Sequence, residues 1–383
     1  MFETSYIELD KTALQHNYQF LRNLIGNDVQ LSSVVKGNAY GHGLEKFISL
    51  SEACGANHFA VFSADEAYTV QQVKRPESGL MIMGMIDPSE LAWAIENQIE
   101  VFIFDLERLE KALATSRKLQ IKVKIHLELE TGMNRLGLNP SEIEAAVALL
   151  KRYEDAYILQ GLCTHYAGAE SIANYVRVKK QIVTYNKLAK RLKQLGYVPQ
   201  KYHTACSAAT VSYPQTRMNM VRIGILQYGF FPTQETLIQY LKNKKEQIDP
   251  LKRVLSWKSK VMNIKTVEAG EFIGYGTSFL ASRSMRIATV PVGYAHGYSR
   301  SLSNQGHVLI QGKRLNVIGM VNMNLMLVDL ESTEGVQAGD EVVLIGTQGD
   351  TYISVASFGE LSNQLNYELL TRLPRNIPRK VVE

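Results

Sequence analysis

Residues 30–43 read QLSSVVKGNAYGHG. The first seven form a strand-like run that ends on Lys36. The next seven hold Gly37, Gly41 and Gly43, with Asn38, Tyr40 and His42 among them. A strand here delivers a lysine into a segment able to turn tightly. Strand-like runs recur down the chain: HFAVF (58–62), LMIMG (80–84), EVFIF (100–104), IKVKIHLE (121–128), ILQGLCTH (158–165), YHTAC (202–206) and NMVRIG (219–224). The segments between them mostly read as helices. In NPSEIEAAVALLKRY, Pro140 and Ser141 signal a start, and Ile143, Val147 and Leu150 form an apolar stripe. Ile172–Leu195 is long and polar on one face. Eight β-then-α units over roughly 200 residues is the arithmetic of an α/β chain folded as a TIM-type (β/α)8 barrel. The rival, a doubly wound open sheet, tends to have fewer strands and a glycine fingerprint after the first, which is missing here.

The pattern changes after residue 233. From residue 252 the chain shows alternating β-type runs, VLSWKSKVMNIKTV, MRIATVPVGY, HVLIQGKRLNVIGMVNMNLMLVDL and DEVVLIG, with IQGKRL read as a hairpin and VASFGELSNQL as a late helix. The division expected is therefore a barrel over 1–233 and a mainly β C-terminal domain over 234–383. SYIELD, within residues 1–10, is a candidate extra strand of the β domain.

Bulk composition narrows the classes. The 383 residues are 45% apolar and 21% charged, with 42 basic against 37 acidic residues and a net charge of +5. That mild balance implies no nucleic-acid partner, and the locally basic LKNKKEQ and IPRKVVE read as solvated surface. Cys54, Cys163 and Cys206 are few, odd in number and set in apolar contexts, which fits a reducing compartment. The N-terminal residues show no secretory leader pattern, and no run approaches the ~18 apolar residues of a membrane span. A cytoplasmic enzyme or binding protein is expected.

A barrel places its chemistry at the C-terminal ends of the strands. Lys36 ends the first strand, Arg135 follows the fifth, and His165 ends the sixth. His203 and Ser207 flank the end of the seventh, and Arg222, Gly224 and Ile225 end the eighth. In the fifth strand, Lys122, Lys124, His126, Glu128 and Glu130 share one face, expected to point into the barrel with Arg135 as a partner for Glu128. A solvated strand edge is the alternative. A lone lysine is more often surface than catalytic. Among barrel walls, however, its amine is desolvated and becomes a candidate Schiff-base nucleophile, the way pyridoxal phosphate is most often held. CSAAT and RIGI offer backbone N–H groups and a hydroxyl for a phosphate.

Nine motifs in order carry a resemblance: VVKGNAYGHG, ETGMNRLG, THYAGAE, HTACSAAT, RIGILQYG, IGYGTSF, VPVGYAHGY, GMVNMN and NYELLTRLPRNIPR. Over essentially its whole length the chain resembles the alanine racemases, fold-type III pyridoxal-phosphate enzymes that produce D-alanine, a peptidoglycan precursor. The resemblance implies a homodimer in which one barrel and the partner's β domain build each site. It implies Lys36 as the cofactor lysine and one base, with Tyr275 of the other copy as the second. Tyr40, Ser207, Gly224 and Ile225 would hold the phosphate. Arg222, with His203 behind it, would face the pyridine nitrogen, and His165 would lie beside the ring. Arg135 and the Met323 backbone would bind the substrate carboxylate, and Tyr294 would line the entrance.

The sequence departs from the family pattern at several of these places. Glu128 stands where many members carry a carbamylated lysine. Met320 and Asn324 replace a common arginine and aspartate, His296 an aspartate, and Cys206 an asparagine. Arg375 falls where a phosphate-contacting tyrosine often sits. These changes leave open a racemase of serine, lysine or several amino acids. A decarboxylase on the same fold lacks support, because its cysteine-containing specificity motif is not found. A non-catalytic pyridoxal-phosphate carrier would lack the β domain.

Overall fold

The computed structural model describes residues 3–330, 333–355, 358 and 366–383. By packing, the chain divides into two units: Leu14–Lys36 with Ile48–Lys252, and Met1–Ala13 with Gly37–Phe47 and Arg253–Glu383. Strand β1 (Ser5–Asp10) belongs to the second of these and leads into a helix over Lys11–Ile25.

The first unit is the barrel. Its strands are β2 (Gln30–Val34), β3 (His58–Val61), β4 (Gly79–Ile82), β5 (Glu100–Ile103), β6 (Val123–Glu128), β7 (Tyr157–Cys163), β8 (Lys201–His203) and β9 (Met220–Ile223). They pair in parallel in the order β8-β7-β6-β5-β4-β3-β2-β9. The ring closes where Arg222 N–H bonds Ala205 O at 2.9 Å and Cys206 bridges Arg222. All eight expected strands form. β3 and β5 are buried at every position, the condition that makes parallel barrel strands continuous apolar runs in sequence. The crossover helices have local start signals. Asp87 accepts from Ser89 N–H at 2.9 Å and donates its own N–H to Glu90, with Pro88 in the first turn. Asp105 caps the helix Leu106–Leu119 through Arg108 N–H at 2.7 Å. Pro140–Glu142 forms a tight 3-10 turn, and the helix proper is Ile143–Arg152, with Ile143 and Leu150 buried.

The second unit holds β10 (Leu255–Lys260), β11 (Asn263–Val267), β12 (Met285–Val290), β13 (His307–Ile310), β14 (Lys313–Ile318), β15 (Met326–Asp329), β16 (Glu341–Gln348), β17 (Thr351–Ile353) and β18 (Arg379–Val382). The path is β11-β12-β15-β14-β13-β16-β10-β1-β18, with β17 on β16. Pairing is antiparallel apart from β1 with β18. The run VLSWKSKVMNIKTV breaks at Val261–Met262 into two strands with different neighbours. Between β13 and β14, Gln311 and Gly312 have φ of 51° and 75°, the two-residue turn whose twist suits a hairpin. Trp257 is fully buried, 6.3 Å from the Tyr298 ring, which meets Phe358 edge-on at 5.4 Å. Of the expected helix VASFGELSNQL, residues 356–357 and 359–365 lie outside the described residues.

After Lys36 the backbone turns left-handed. Gly37, Asn38, Ala39 and Tyr40 have φ of 64°, 56°, 52° and 51°, and Gly41 and Gly43 follow at 83° and 89°. L-residues pay roughly 1–2 kcal/mol each for this region, so the turn needs anchors. His42 Nδ1 donates to Ala39 O at 3.0 Å and Tyr40 O at 3.1 Å. Asn38 Oδ1 accepts from Leu44 N–H at 3.0 Å, and Arg379 Nη2 donates to Gly41 O at 2.8 Å. Burial pulls the His42 pKa down to about 3, so the ring ties this turn as a neutral group. A Cβ on Gly41 would stand 1.8 Å from Leu370 O. Gly41→Ala combines that clash with a strained φ and is expected to destabilise the protein by about 2–4 kcal/mol, measured as a lower urea midpoint at unchanged slope.

Candidate active site

The barrel rim is assembled from strand ends that brace one another. Val34 O, two residues before Lys36, accepts from Gln227 Nε2 and from Tyr228 Oη, each at 3.0 Å. Gln227 Oε1 in turn accepts from Ser33 Oγ at 2.7 Å and Tyr18 Oη at 2.9 Å. RIGILQYG thus fixes where Lys36 starts. The Lys36 side chain is solvent-accessible in the open mouth, yet protein on several sides lowers its amine pKa, helped by repulsion from Arg135 and Arg222. A larger fraction of the amine is neutral, and so nucleophilic, than for a surface lysine.

Arg222 is buried beneath this mouth. Its Nη1 donates to His203 O at 2.7 Å and to His203 Nδ1 at 2.6 Å, and its Nη2 donates to Thr164 O at 2.8 Å. His165 follows β7, and burial together with Arg222, Arg135 and Lys36 lowers its pKa to about 3. The ring is therefore neutral. Ser207 opens the short helix Ser207–Ser212, with half-buried Cys206 before it, and its Oγ accepts Gly224 N–H at 2.9 Å. That bond joins the ends of β8 and β9 and sets Ser207, Gly224 and buried Ile225 side by side.

The fifth barrel strand differs from its sequence reading at both ends. Lys122 lies outside β6 and is exposed. Glu130 does not share an inward face. Its carboxylate folds onto the following loop and accepts from Gly132, Met133 and Asn134 N–H. Gly137, at φ 117°, allows the loop to return within 2.6 Å of Glu130 N, measured from where a Cβ would sit. Glu130 therefore shapes the loop that presents exposed Arg135. Glu128 does point inward and is buried, but among the described residues it forms no ion pair with Arg135. Burial raises its pKa, and attraction to Arg222 and then Arg135 only partly offsets that. Buried Gln181 was not singled out by its sequence. Its Nε2 donates to His165 O at 3.1 Å and Thr131 Oγ1 at 3.2 Å, linking two rim loops.

In the β unit, three motifs converge. A Cβ on Gly319 would meet Ile273 O at 2.8 Å, bringing GMVNMN against IGYGTSF. Tyr294 N–H donates to Asn322 O at 3.0 Å and Ala295 N–H to Met323 O at 2.9 Å, adding VGYAHGY. Met320 is half-buried beside this junction, and Asn324 is exposed. Tyr275 is 75% exposed, Met323 55% and Tyr294 45%, so this edge offers polar aromatic tips to solvent. His296 Nδ1 accepts Gly293 N–H at 3.3 Å, which ties the ring to its own turn. Tyr40 ends the left-handed turn. Arg375 is exposed in a turn and accepts Arg379 Nη1 on its carbonyl at 3.0 Å. No group of side chains suited to a metal ion occurs among the described residues, and no helix among them is long and apolar enough to cross a membrane.

Residues 9–232 match the family Alanine racemase, N-terminal domain, and residues 254–381 match Alanine racemase, C-terminal domain. The chain belongs to the alanine racemase family. The alanine racemase of Leptospira interrogans is 32% identical over 382 residues, 99% of this chain and 96% of its own. That of Methanococcus maripaludis is 32% identical over 377 residues, covering 98% and 97%. The crystal structure of Bacillus anthracis alanine racemase with bound L-Ala-P aligns at a TM-score of 0.89 and 32% identity, over 100% of this chain and 96% of that one. The Bartonella henselae alanine racemase with covalently bound pyridoxal phosphate aligns at a TM-score of 0.83 and 25% identity, over 99% of each. Alanine racemases are isomerases that depend on pyridoxal phosphate.

Proposed function

We propose that this chain is an alanine racemase (EC 5.1.1.1) that uses pyridoxal phosphate to interconvert L- and D-alanine. The observation that carries this reading is Lys36, whose amine leans toward neutrality in one mouth with Arg135, Arg222 and His165, within a chain matching both alanine racemase domains. The donor set suits the cofactor. An amine can take its aldehyde. The Ser207 hydroxyl and the N–H groups at Gly224 and Ile225 suit its phosphate. The Arg222 guanidinium suits its ring nitrogen, with the neutral His165 ring beside it. When bound, the cofactor supplies acidity to the Cα–H of an attached amino acid.

The side chains do the rest. Lys36 Nζ takes or returns the proton on one face of Cα, for D-alanine. Tyr275 Oη does so on the other, for L-alanine. Arg135 holds the substrate carboxylate. His203 and Thr164 anchor Arg222 as a donor. Each site is completed by Tyr275 from a second copy, so the working form is a homodimer, with Tyr294 at its entrance.

Purified protein loaded with cofactor is expected to form D-alanine at least tenfold faster than D-serine or D-lysine. Faster turnover of serine or lysine reassigns the substrate and points to Met320 and Asn324. Glu128 acts as the anion facing Arg135 and Arg222 at longer range. Glu128→Gln is expected to raise the alanine KM about three- to tenfold with little change in kcat. Unaltered kinetics would remove it from the site.

A further inference from the structure

Below Arg222, the barrel interior carries a line of buried polar groups that the chemistry above does not use. His203 Nε2 meets His126 Nδ1 at 2.7 Å, and His126 Nε2 meets Glu100 Oε2 at 2.7 Å. His58 Nε2 meets the same carboxylate oxygen at 3.1 Å, and its Nδ1 meets Ser32 Oγ at 2.9 Å. All are buried, Glu100 at 6% exposure and the three histidines at 0–3%.

The ends of this line fix its direction. A guanidinium only donates and a carboxylate only accepts. The bonds therefore run from Arg222 Nη1–H to His203 Nδ1, from His203 Nε2–H to His126 Nδ1, and from His126 Nε2–H to Glu100. Burial, with Arg222 nearby, keeps both imidazoles neutral. Burial alone would raise the Glu100 pKa, but His58 and His126 outweigh it and hold the group ionised. The backbone leaves room for the line. A Cβ on Gly161 would stand 2.0 Å from His126 Nδ1 and 2.7 Å from His203 Nε2, and one on Gly79 would stand 2.6 Å from the His58 ring. Phe102 lies over both imidazoles, at 5.6 Å and 5.9 Å.

We propose that Glu100 is a positioning residue for Arg222: two imidazoles away, its carboxylate holds His126 and His203 as Nε2–H tautomers and so keeps the bare Nδ1 of His203 turned toward the guanidinium. The kinetic part rests on the racemase reading. The tautomer part stands on geometry alone.

The test uses cofactor-loaded protein with 15N-labelled histidine. In the wild type, His126 and His203 are expected to show protonated Nε2 and bare Nδ1 from about pH 6 to 9. Glu100→Ala is expected to mix the tautomers and to lower kcat roughly tenfold, with KM moving less than about twofold. Glu100→Gln, whose Oε1 accepts as the carboxylate does, is expected to restore the tautomers and bring kcat within about threefold of wild type. A protonated Nδ1 on His203 in the wild type overturns the proposal. So does a Glu100→Ala protein that melts earlier but keeps its tautomers and its kcat. If Glu100→Ala does not fold, the wild-type spectrum and Glu100→Gln still decide. If the wild type racemises no amino acid, the functional reading fails, and the nitrogen spectrum still tests the line of bonds.

Discussion

Lys36→Ala is expected to lower alanine racemisation by roughly 10⁴-fold or more, because in the proposed mechanism one residue holds the cofactor and also serves as a base. The Lys36 amine suits both proposed tasks. Gln227 and Tyr228 pin the strand end it leaves, and desolvation with Arg135 and Arg222 biases it toward the neutral form. An alanine there leaves the proposed phosphate donors Ser207 and Gly224 in place, so cofactor is expected to bind, but without attachment. Two measurements check this. After borohydride reduction, the mass of the intact wild-type chain rises by one cofactor and that of the variant does not. D-alanine formation from L-alanine falls to background. A variant that keeps either the adduct or more than about a hundredth of the activity would move the cofactor to another lysine.

Tyr275→Phe has the next largest expected effect and a more diagnostic pattern. On the proposed two-base mechanism, removing one phenol oxygen takes away one of the two bases, a loss of about 10²–10⁴ in kcat/KM. The enantiomers have equal free energy, so the loss is the same in both directions. The asymmetry lies elsewhere: in heavy water, exchange of the D-alanine α-hydrogen through Lys36 survives, while exchange of L-alanine falls with racemisation. Cofactor content does not change. Equal loss of both exchanges would assign Tyr275 to folding or substrate binding. Mixing Lys36→Ala and Tyr275→Phe chains through an unfolding–refolding cycle adds a second reading. If the two residues come from different copies, hybrid dimers regain one intact site in two, roughly a quarter of wild-type activity for equal random pairing. Separate chains that never complement would place both residues in one copy.

Barrel strands such as HFAVF and EVFIF were legible because a parallel strand buried on both faces leaves an unbroken apolar run. The helix start at Pro140 was legible for a local reason as well. Readings weakened where the partner is distant. Glu130 looks like one more alternating residue of its strand, and only the loop that wraps its carboxylate shows that it shapes the Arg135 segment. Glu100 opens an apolar run and reads as a strand edge. Its partners His126 and His58 lie 26 and 42 positions away, a coupling that no local pattern encodes. The break at Val261–Met262 was hidden because β propensity continues through it, and only pairing separates β10 from β11. His42 sat in the most informative stretch of the chain with no chemical role to suggest it. Its place is to hold carbonyls of a left-handed turn, a need visible only once the backbone conformation is known.

The pairing of β1 with β18 sets a timetable for synthesis. Lys11 Nζ and the Glu383 carboxylate bond at 2.9 Å across 372 positions, and β1 takes its place between β10 and β18. At about 5–20 residues per second, the nascent chain exposes β1 for on the order of tens of seconds before its neighbours emerge. A waiting strand is an open invitation to pair with another chain. β1 alternates buried Ile7 and Leu9 with half-buried Glu8 and Asp10, so the ribosome releases it already carrying like charges that repel a second copy. One of them, Glu8, later closes on Lys258 at 2.8 Å. A charge that guards the strand early becomes a cross-strand pair late.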